Sequence, residues 1–350
     1  MMEPIKTLIR AGICAPSGDN TQPWHFTVGA DRASFNLSLV PQRDLSPMNA
    51  GQRMARIACG AALENILQTL EFNGWEFTLE TGGNDCLARV RLAESIQQPG
   101  EIDPVILSRT TNRRVYRNEP LSDAAQCSLS KRTPELNGVQ THWIVEREKI
   151  ESLSQLIGRA DAAMFGAKPI RDAFLDKVRF DAPPLAQVDD GLCLGSLELS
   201  PFQRLTLRSL RMPDFLVKLA GARRTFTATA NRLVRSASGL CLITSDESSD
   251  SAEINVGRAM QRAWLALTSE GLAVQPMMSL LVLQTIRDNA PPAIREAVGA
   301  SQMDSLLEEF YALARTIGDG VPGALMRFGY APPPTARTGR LPLENVVTQR

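Results

Sequence analysis

The stretch GAALENILQTLEFNGW at residues 60–75 matches GRAMQRAWLALTSEGL at 257–272 without a gap. Each copy carries apolar residues at helical spacing, ends at a glycine before an apolar residue, and lies between two predicted strands. The match predicts a duplicated α/β unit, which suits a chain of 350 residues that is too long for one ordinary core. Coincidence is the alternative, because any two amphipathic helices that end in this way match about as well.

Composition limits the class of protein. The apolar fraction is 43%, and Lys+Arg and Asp+Glu are both 38, so the formal net charge is zero. This balance argues against general binding to nucleic acid or to a membrane surface. With six scattered cysteines and two histidines we expect no metal site, and with no long apolar run or signal core we expect a cytoplasmic protein without a membrane span.

Helical and alternating patterns follow one another along the chain and predict an α+β fold. Helical spacing predicts helices over 3–13, 50–73, 147–177, 202–236, 252–270 and 302–316. Alternating or continuous apolar runs predict strands at WHFTV, SFNLSLV, WEFTLE, LARVRLA, VQTHWIVE, GLCLITS, LAVQPM and ALMRFGYA.

Four segments concentrate the residues that could bind a ligand. They are APSGDNTQPW (15–24), SRTTNRR (108–114), GLAVQPMMSL (271–280) and ARTGRLPLE (336–344). The first clusters polar side chains between prolines, and the second and fourth carry arginines, whose forked guanidinium groups suit phosphate oxygens. Taken singly, these segments have plainer interpretations: a self-bonded turn, a solvated basic loop, a buried connection and a frayed terminus.

Together the four segments resemble the nitroreductase-like flavoproteins, which bind FMN. In that family two chains usually pair, and one subunit supplies the PS..N.QPW loop while the other supplies the arginines. Here one chain carries both sets in inverted order, which resembles the tandem, Acg-like branch. The resemblance implies an internal pseudo-dimer of two α/β units around central mixed or antiparallel sheets. Its halves would be 1–104 and 105–350, the second with a helical lid-like insertion near 147–236.

The resemblance also implies one composite FMN site. It places a first group of residues against the isoalloxazine ring: Pro16, Ser17, Gly18, Asn20 and, more weakly, Gln22. The phosphate would be held by Arg109 and Arg340, and further contacts would come from Asn112 and from either Arg113 or Arg114. The flavin N5 edge would meet Pro276, Met277, Met278 and Ser279. Arg337 stands beside Thr338, where the family commonly has a lysine, so that phosphate contact is open.

The implied activity is that of an FMN-dependent NAD(P)H oxidoreductase that reduces nitro compounds or quinones by hydride transfer through flavin N5. The alternative is an FMN-sequestering protein in which a lid, formed within 178–236, covers a flavin that turns over little. Flavin chemistry on a specialised substrate is a third possibility, but no group of residues in the sequence indicates such a substrate.

The remaining expectations concern acid–base groups and partners. No side-chain acid or base is required by the implied scheme, and His25 is interpreted as a half-buried strand residue rather than a proton donor. The expected partner is a small-molecule electron acceptor rather than a nucleic acid or a membrane. The chain would be a monomeric pseudo-dimer or a homodimer.

Overall fold

Two β-sheets and the helices between them form the molecule. A computed structural model describes residues 2–82, 86–93, 95–96, 98–183, 185–212 and 222–349. The first sheet has the strand order β11-β1-β2-β4-β3. Its strands are β1 (Trp24–Val28), β2 (Ser34–Leu39), β3 (Phe77–Thr81), β4 (Ala88–Leu92) and β11 (Val347–Gln349).

The second sheet is antiparallel throughout and has the order β5-β8-β10-β9. Its strands are β5 (Val139–Ile144), β8 (Gly239–Ser245), β9 (Ala273–Pro276) and β10 (Val321–Gly329). A short parallel pair is formed by β6 (Val178–Arg179) and β7 (Leu192–Cys193). The predicted α+β class with mixed and antiparallel sheets is therefore confirmed.

Helices fill the space between and around the sheets. The first six are α1 (Glu3–Ile13), α2 (Arg53–Phe72), α3 (Pro104–Ser108), α4 (Asp123–Arg132), α5 (Arg147–Gly166) and α6 (Lys168–Lys177). The others described are α7 (Pro201–Ser209), α8 (Ala222–Arg235), α9 (Asp250–Ser269), α10 (Ser279–Asn289), α11 (Pro292–Val298) and α12 (Ala300–Ala314). None of these helices is long and apolar enough to cross a membrane.

Helices α2 and α9, which contain the two matched stretches, pack directly against each other. A Cβ atom on Gly60 would lie 2.0 Å from the carbonyl oxygen of Ile254, and one on Gly257 would lie 2.0 Å from that of Ile57. The contact is reciprocal, since each glycine meets the residue three positions before the other. This is the arrangement that two units related by a pseudo-two-fold axis would produce.

Buried polar side chains also bond α2 to α9. The Glu64 carboxylate is fully buried and pairs with the Nε atoms of Arg258, at 3.2 Å, and Arg262, at 2.7 Å. Gln261 Nε2 donates to Asn65 Oδ1 at 2.7 Å. Because a buried carboxylate is tolerated only when it is paired, these bonds specify which helix faces meet.

The C-terminal tail crosses from the second sheet to the first. β10 ends at Gly329, and β11 pairs in parallel with β1, so that Val347 lies beside Phe26. The first sheet thus contains a strand from the end of the chain, and one continuous apolar core includes residues of both sheets, α2 and α9. The division of the chain into two halves, 1–104 and 105–350, remains a prediction.

Two of the predicted helical regions are each divided into separate helices. The region 147–177 is two helices, because the chain is extended at Ala167 and Pro169 lies in the first turn of a new helix that begins at Lys168. The region 202–236 contains α7 and α8, with residues 213–221 outside the described part. Helix α8 packs along α5 and is a structural layer of the second unit.

We expect Gly257→Ala to lower the free energy of unfolding by about 2–3 kcal/mol, although alanine favours a helix interior by about 1 kcal/mol over glycine. The new methyl group would collide with backbone that cannot move away as a flexible side chain could. Urea unfolding measures the change. Ser305→Ala, on an exposed face of α12, is the control and should stay within about 0.5 kcal/mol of the parent. Equal stability of Gly257→Ala and the parent would contradict the close contact.

Candidate functional site

The loop after α1 forms one wall of the site. Residues Asp19, Asn20 and Gln22 have left-handed backbone angles, with φ of 45°, 59° and 51°. The Gln22 backbone N–H donates to Ser17 Oγ at 3.0 Å. This hydrogen bond closes a compact turn within the segment APSGDNTQPW.

Two neighbouring cavities lie against this loop. The first, here called the polar cavity, has a volume of about 310 Å³ and is also lined by the SRTTNRR segment and the tail. The second, here called the apolar cavity, has a volume of about 250 Å³ and also contacts α2, α9 and the end of β9. The two share the lining residues Pro16, Ser17, Asp19, Thr111 and Arg113. Together they have the size typical of a cofactor site, about 300–1,000 Å³.

Arg109 is the most informative residue of the polar cavity. Its guanidinium is buried, lies 4.5 Å above the Trp264 ring, and donates from one nitrogen to the Cys14 carbonyl at 3.1 Å. Among the residues that the structure describes, its buried Nε and Nη1 atoms have no hydrogen-bond partner. Burial, followed by the nearby charge of Arg340, lowers the pKa of Arg109 to about 9. A buried cation with free donors is expected where an anion binds.

The tail adds two arginines to the same cavity. Arg340 donates to the carbonyls of Ile13, Cys14 and Ala15 at the C-terminal end of α1, where a cation is favoured. Arg337 donates to the carbonyls of Leu107 and Ser108. Arg340 is therefore saturated by carbonyl oxygens and holds the tail in place, whereas Arg109 keeps donors for a ligand.

The polar cavity carries an excess of positive charge. Four arginines line it, against one acidic side chain, Asp19. The arginines are Arg109, Arg113, Arg337 and Arg340. A cavity of this kind attracts and holds a phosphate or another small anion.

The apolar cavity is built by both matched helices. Met54 and Ile57 reach it from α2, and Met260 and Trp264 reach it from α9. The Trp264 indole N–H is buried and has no acceptor within the described part of the chain. Pro16 and Gly18 of the loop complete the walls, together with Pro276 at the end of β9 and Met278 beyond it. Apolar walls with a few polar edges suit a flat ring system.

Asp19 was missed as a site residue by the sequence analysis. It lines both cavities at their junction and has a strained left-handed backbone. Burial and the neighbouring Asp44 raise its pKa to about 6, and Arg113 and Lys177 oppose the shift. Its place between two prolines in a polar loop was the available signal, but the sequence does not show that Asp44 lies nearby.

The structure separates Arg113 from Arg114. Arg113 lines both cavities and donates to the Ser196 carbonyl at 2.9 Å. Arg114 points away, with its Nε 3.4 Å from a Glu198 oxygen and a bond to Thr335. Arg113 is therefore the member of the pair that can contact a ligand in the polar and apolar cavities.

Other predicted site residues fall into two groups. Those that line a cavity are Pro16, Ser17, Gly18, Asn20, Arg109, Arg113, Pro276, Met278, Arg337 and Arg340. Those that line neither are Gln22, Asn112, Arg114, Met277 and Ser279. Asn112 donates to the Pro332 carbonyl and Gln22 accepts from the Leu341 N–H, so both hold the tail.

A segment of the second unit covers the polar cavity. Gln187, Leu192 and Ser196 line the cavity, and the segment is tied down by two loop side chains. Asn20 Nδ2 donates to the Gly191 carbonyl at 3.2 Å, and Gln22 Nε2 donates to the Asp189 carbonyl at 2.7 Å. This segment, 187–196, lies within the region 178–236 in which the sequence analysis places a lid.

The comparisons with known proteins can be set beside this geometry. No protein-family model matches the chain. An uncharacterized protein of Mycobacterium tuberculosis (strain CDC 1551 / Oshkosh) is 26% identical over 95% of the chain. The chain spans about half the length of that curated relative, 46% of it.

Nitroreductase-like FMN proteins are among the solved structures that the chain resembles. An FMN-bound nitroreductase from Desulfitobacterium hafniense DCB-2 has a TM-score of 0.36 and 15% identity, over 70% of this chain and 95% of that one. The FMN-dependent nitroreductase NfnB from Mycobacterium smegmatis, in complex with NADPH, has a TM-score of 0.37 and 14% identity, over 69% and 94%. A BluB-like flavoprotein from Clostridium difficile 630 gives 0.38 and 13%, over 71% and 98%.

Two of these three proteins are nitroreductases, the kind of flavoprotein that the sequence motifs resemble. Their identities and TM-scores are too low to assign an activity to this chain. Its function has to be argued from its own residues.

The Asp19 carboxyl predicts a pH dependence of stability in the ligand-free protein. Because its folded-state pKa lies near 6, above the ordinary 3.8, its contribution to stability is present below about pH 4 and is lost as the pH rises through 6. We expect Asp19→Asn to be more stable than the parent by about 1–2 kcal/mol at pH 7.5 and to match it near pH 4.

Urea unfolding at the two pH values measures this difference. Asp19→Glu retains a carboxyl group and is the matched variant, which should keep the sign of the pH dependence. An Asp19→Asn protein whose stability relative to the parent is the same at both pH values would contradict the raised pKa.

Proposed function

We propose that the joined cavities bind one FMN and that the chain is an NAD(P)H oxidoreductase that reduces nitro compounds or quinones. The observation that carries this proposal is the buried Arg109 guanidinium, which has two unpartnered donor atoms at one end of a site with an apolar far end. FMN has the matching shape, with a dianionic phosphate joined by a short polar chain to a flat ring system.

The polar cavity fits the phosphate and the ribityl chain. Arg109 would supply the free donors, and Arg113, Arg337 and Arg340 would add positive charge without a carboxylate within ion-pair distance in the described structure. Ser17 and Thr111 offer hydroxyl groups at the junction of the cavities. Charge-assisted bonds to phosphate are the strong kind, so this end should dominate affinity.

The apolar cavity fits the ring. Pro16 and Gly18 would lie against it from the loop, and Pro276 and Met278 from the end of β9, as the resemblance implied for these four positions. FMN would supply hydride transfer at its ring. The chain's own part is to exclude water with apolar walls and to place the Arg113 charge where the reduced ring is anionic.

Asp19 gives the site a proton-holding group between the cavities. With a pKa near 6 it is partly protonated in mildly acidic solution, and it lies next to the Arg113 charge. The implied scheme needs no side-chain acid, so this carboxyl is an addition to it rather than a requirement.

The alternative function is FMN sequestration with little turnover. It is favoured by the segment 187–196, which covers the polar cavity and is held by Asn20, Gln22 and a bond from the Gly339 N–H to the Val188 carbonyl. A covering segment slows exchange of the cofactor, but it lies over the phosphate end. The apolar cavity, where an acceptor would meet the ring, is not lined by it.

We expect Arg109→Gln to weaken FMN binding by about tenfold or more, because a charge-assisted bond to a buried phosphate is lost. Riboflavin, which lacks the phosphate, is the matched ligand, and its affinity should change little. Quenching of flavin fluorescence measures both. Arg315→Gln, at an exposed arginine after α12, is the control. Equal losses for FMN and riboflavin would contradict the phosphate assignment.

Steady-state oxidation of NADH and NADPH by the FMN-loaded protein separates the two functions. With a nitroaromatic or a quinone as acceptor, the oxidoreductase proposal predicts sustained turnover over many equivalents of enzyme. A flavin that is bound but turns over once or not at all would overturn this proposal in favour of sequestration.

A further inference from the structure

A third cavity lies beside the proposed FMN site, within the helical part of the second unit. It has a volume of about 450 Å³ and is called here the aromatic cavity. Phe165 of α5, Phe174 of α6 and Phe226 of α8 form one side, and leucines of the 197–207 region form the other. The functional assignment above makes no use of it.

The three phenylalanines form a connected aromatic wall. The Phe165 and Phe226 rings stack with centroids 4.7 Å apart and 17° between their planes. Phe174 meets Phe165 edge to face at 5.3 Å and 77°. The three rings are only partly buried, so faces and edges remain available to the ring of a guest. Aromatic groups prefer these stacked and edge-to-face contacts, so the wall suits a flat aromatic guest.

The same cavity is positively charged. Its ionisable lining residues are three arginines, Arg113, Arg114 and Arg232, and one glutamate, Glu198. The Glu198 charge is already engaged by Arg114 and by the Thr335 hydroxyl and N–H. Positive charge therefore remains for a guest that carries an anionic group.

Two side chains connect the aromatic cavity with the FMN site. Arg113 lines all three cavities, and Gln275 lines the apolar and the aromatic cavities. Gln275 is held by the Arg327 Nε, which donates to its Oε1 at 2.8 Å. The partition between the ring cavity and the aromatic cavity is thus made of side chains, and a guest in one lies close to the other.

We propose that the aromatic cavity binds a planar aromatic anion, such as an aromatic carboxylate. The ring would pack on Phe226 and its neighbours, and the anionic group would face Arg232 and Arg113. This binding does not depend on the function proposed for the FMN site.

Isothermal titration calorimetry with 2-naphthoate tests the binding. Two comparison ligands dissect its chemistry: 2-naphthalenemethanol has the ring without the charge, and decanoate has the charge without the ring. The full chain is used both without FMN and saturated with FMN. We expect one 2-naphthoate per chain, bound about tenfold tighter than either comparison ligand and equally well with and without FMN.

Variants locate the site. Phe226→Ala should weaken 2-naphthoate binding by about tenfold, and Phe226→Leu, which keeps the apolar volume, by about threefold. Phe72→Ala, at an exposed phenylalanine that is 51% accessible, is the control. Arg232→Gln should weaken binding about two- to fivefold, whereas Arg224→Gln, exposed on the same helix, should not. Thermal unfolding shows whether each variant remains folded.

Each part of the proposal has a result that would overturn it. Equal affinity for decanoate would overturn the aromatic preference, and equal affinity for 2-naphthalenemethanol would overturn the role of charge. Competition between FMN and 2-naphthoate would place the ligand in the apolar cavity and overturn the site. Absence of binding, or unchanged affinity in the Phe226 and Arg232 variants, would also overturn it.

Discussion

The close approach of α2 and α9 at Gly60 and Gly257 is the constraint on which the rest of the molecule depends. Only glycine permits the backbone of each helix to contact the other, and the buried Glu64 pairs with α9 arginines to fix which faces meet. The helices then carry Ile57 and Trp264 to opposite sides of one cavity. The first sheet contacts α2, the second sheet contacts α9, and one apolar core includes residues of all of them.

The C-terminal tail lines the polar cavity, next to the cavity that α2 and α9 form. Because β11 joins the first sheet, the chain between β10 and β11 must pass over the loop after α1, and Arg337 and Arg340 lie on this crossing. The arginines there are held by carbonyl oxygens rather than by carboxylates, which leaves the polar cavity electropositive. Arg109 is the extreme case, buried with unpartnered donors. Such a charge destabilises the ligand-free protein and is offset when an anion binds.

Local sequence patterns predicted the elements that depend on neighbouring residues. The matched helices, the polar loop with its prolines, the arginine segment and most strands follow from spacing and turn chemistry. The α+β class was correctly predicted for this reason. The directions of individual side chains could not be predicted from local patterns. Asn112 and Gln22 hydrogen-bond the tail instead of lining the polar or the apolar cavity. Arg114 is drawn away from these two cavities by Glu198, which lies 84 positions further along the chain, and Arg113 is left to line them. Asp19 and the pairing of β11 with β1 likewise depend on contacts between distant segments.

A single composite FMN site that contains residues from both parts of the chain should bind one FMN per chain. Titration of the purified, flavin-free protein with FMN, followed by flavin absorbance after removal of free ligand, gives this number. We expect one FMN per chain. Two FMN molecules per chain would mean that each part of the chain carries its own site, and none would mean that Arg109 binds another anion; either result would contradict the single composite site.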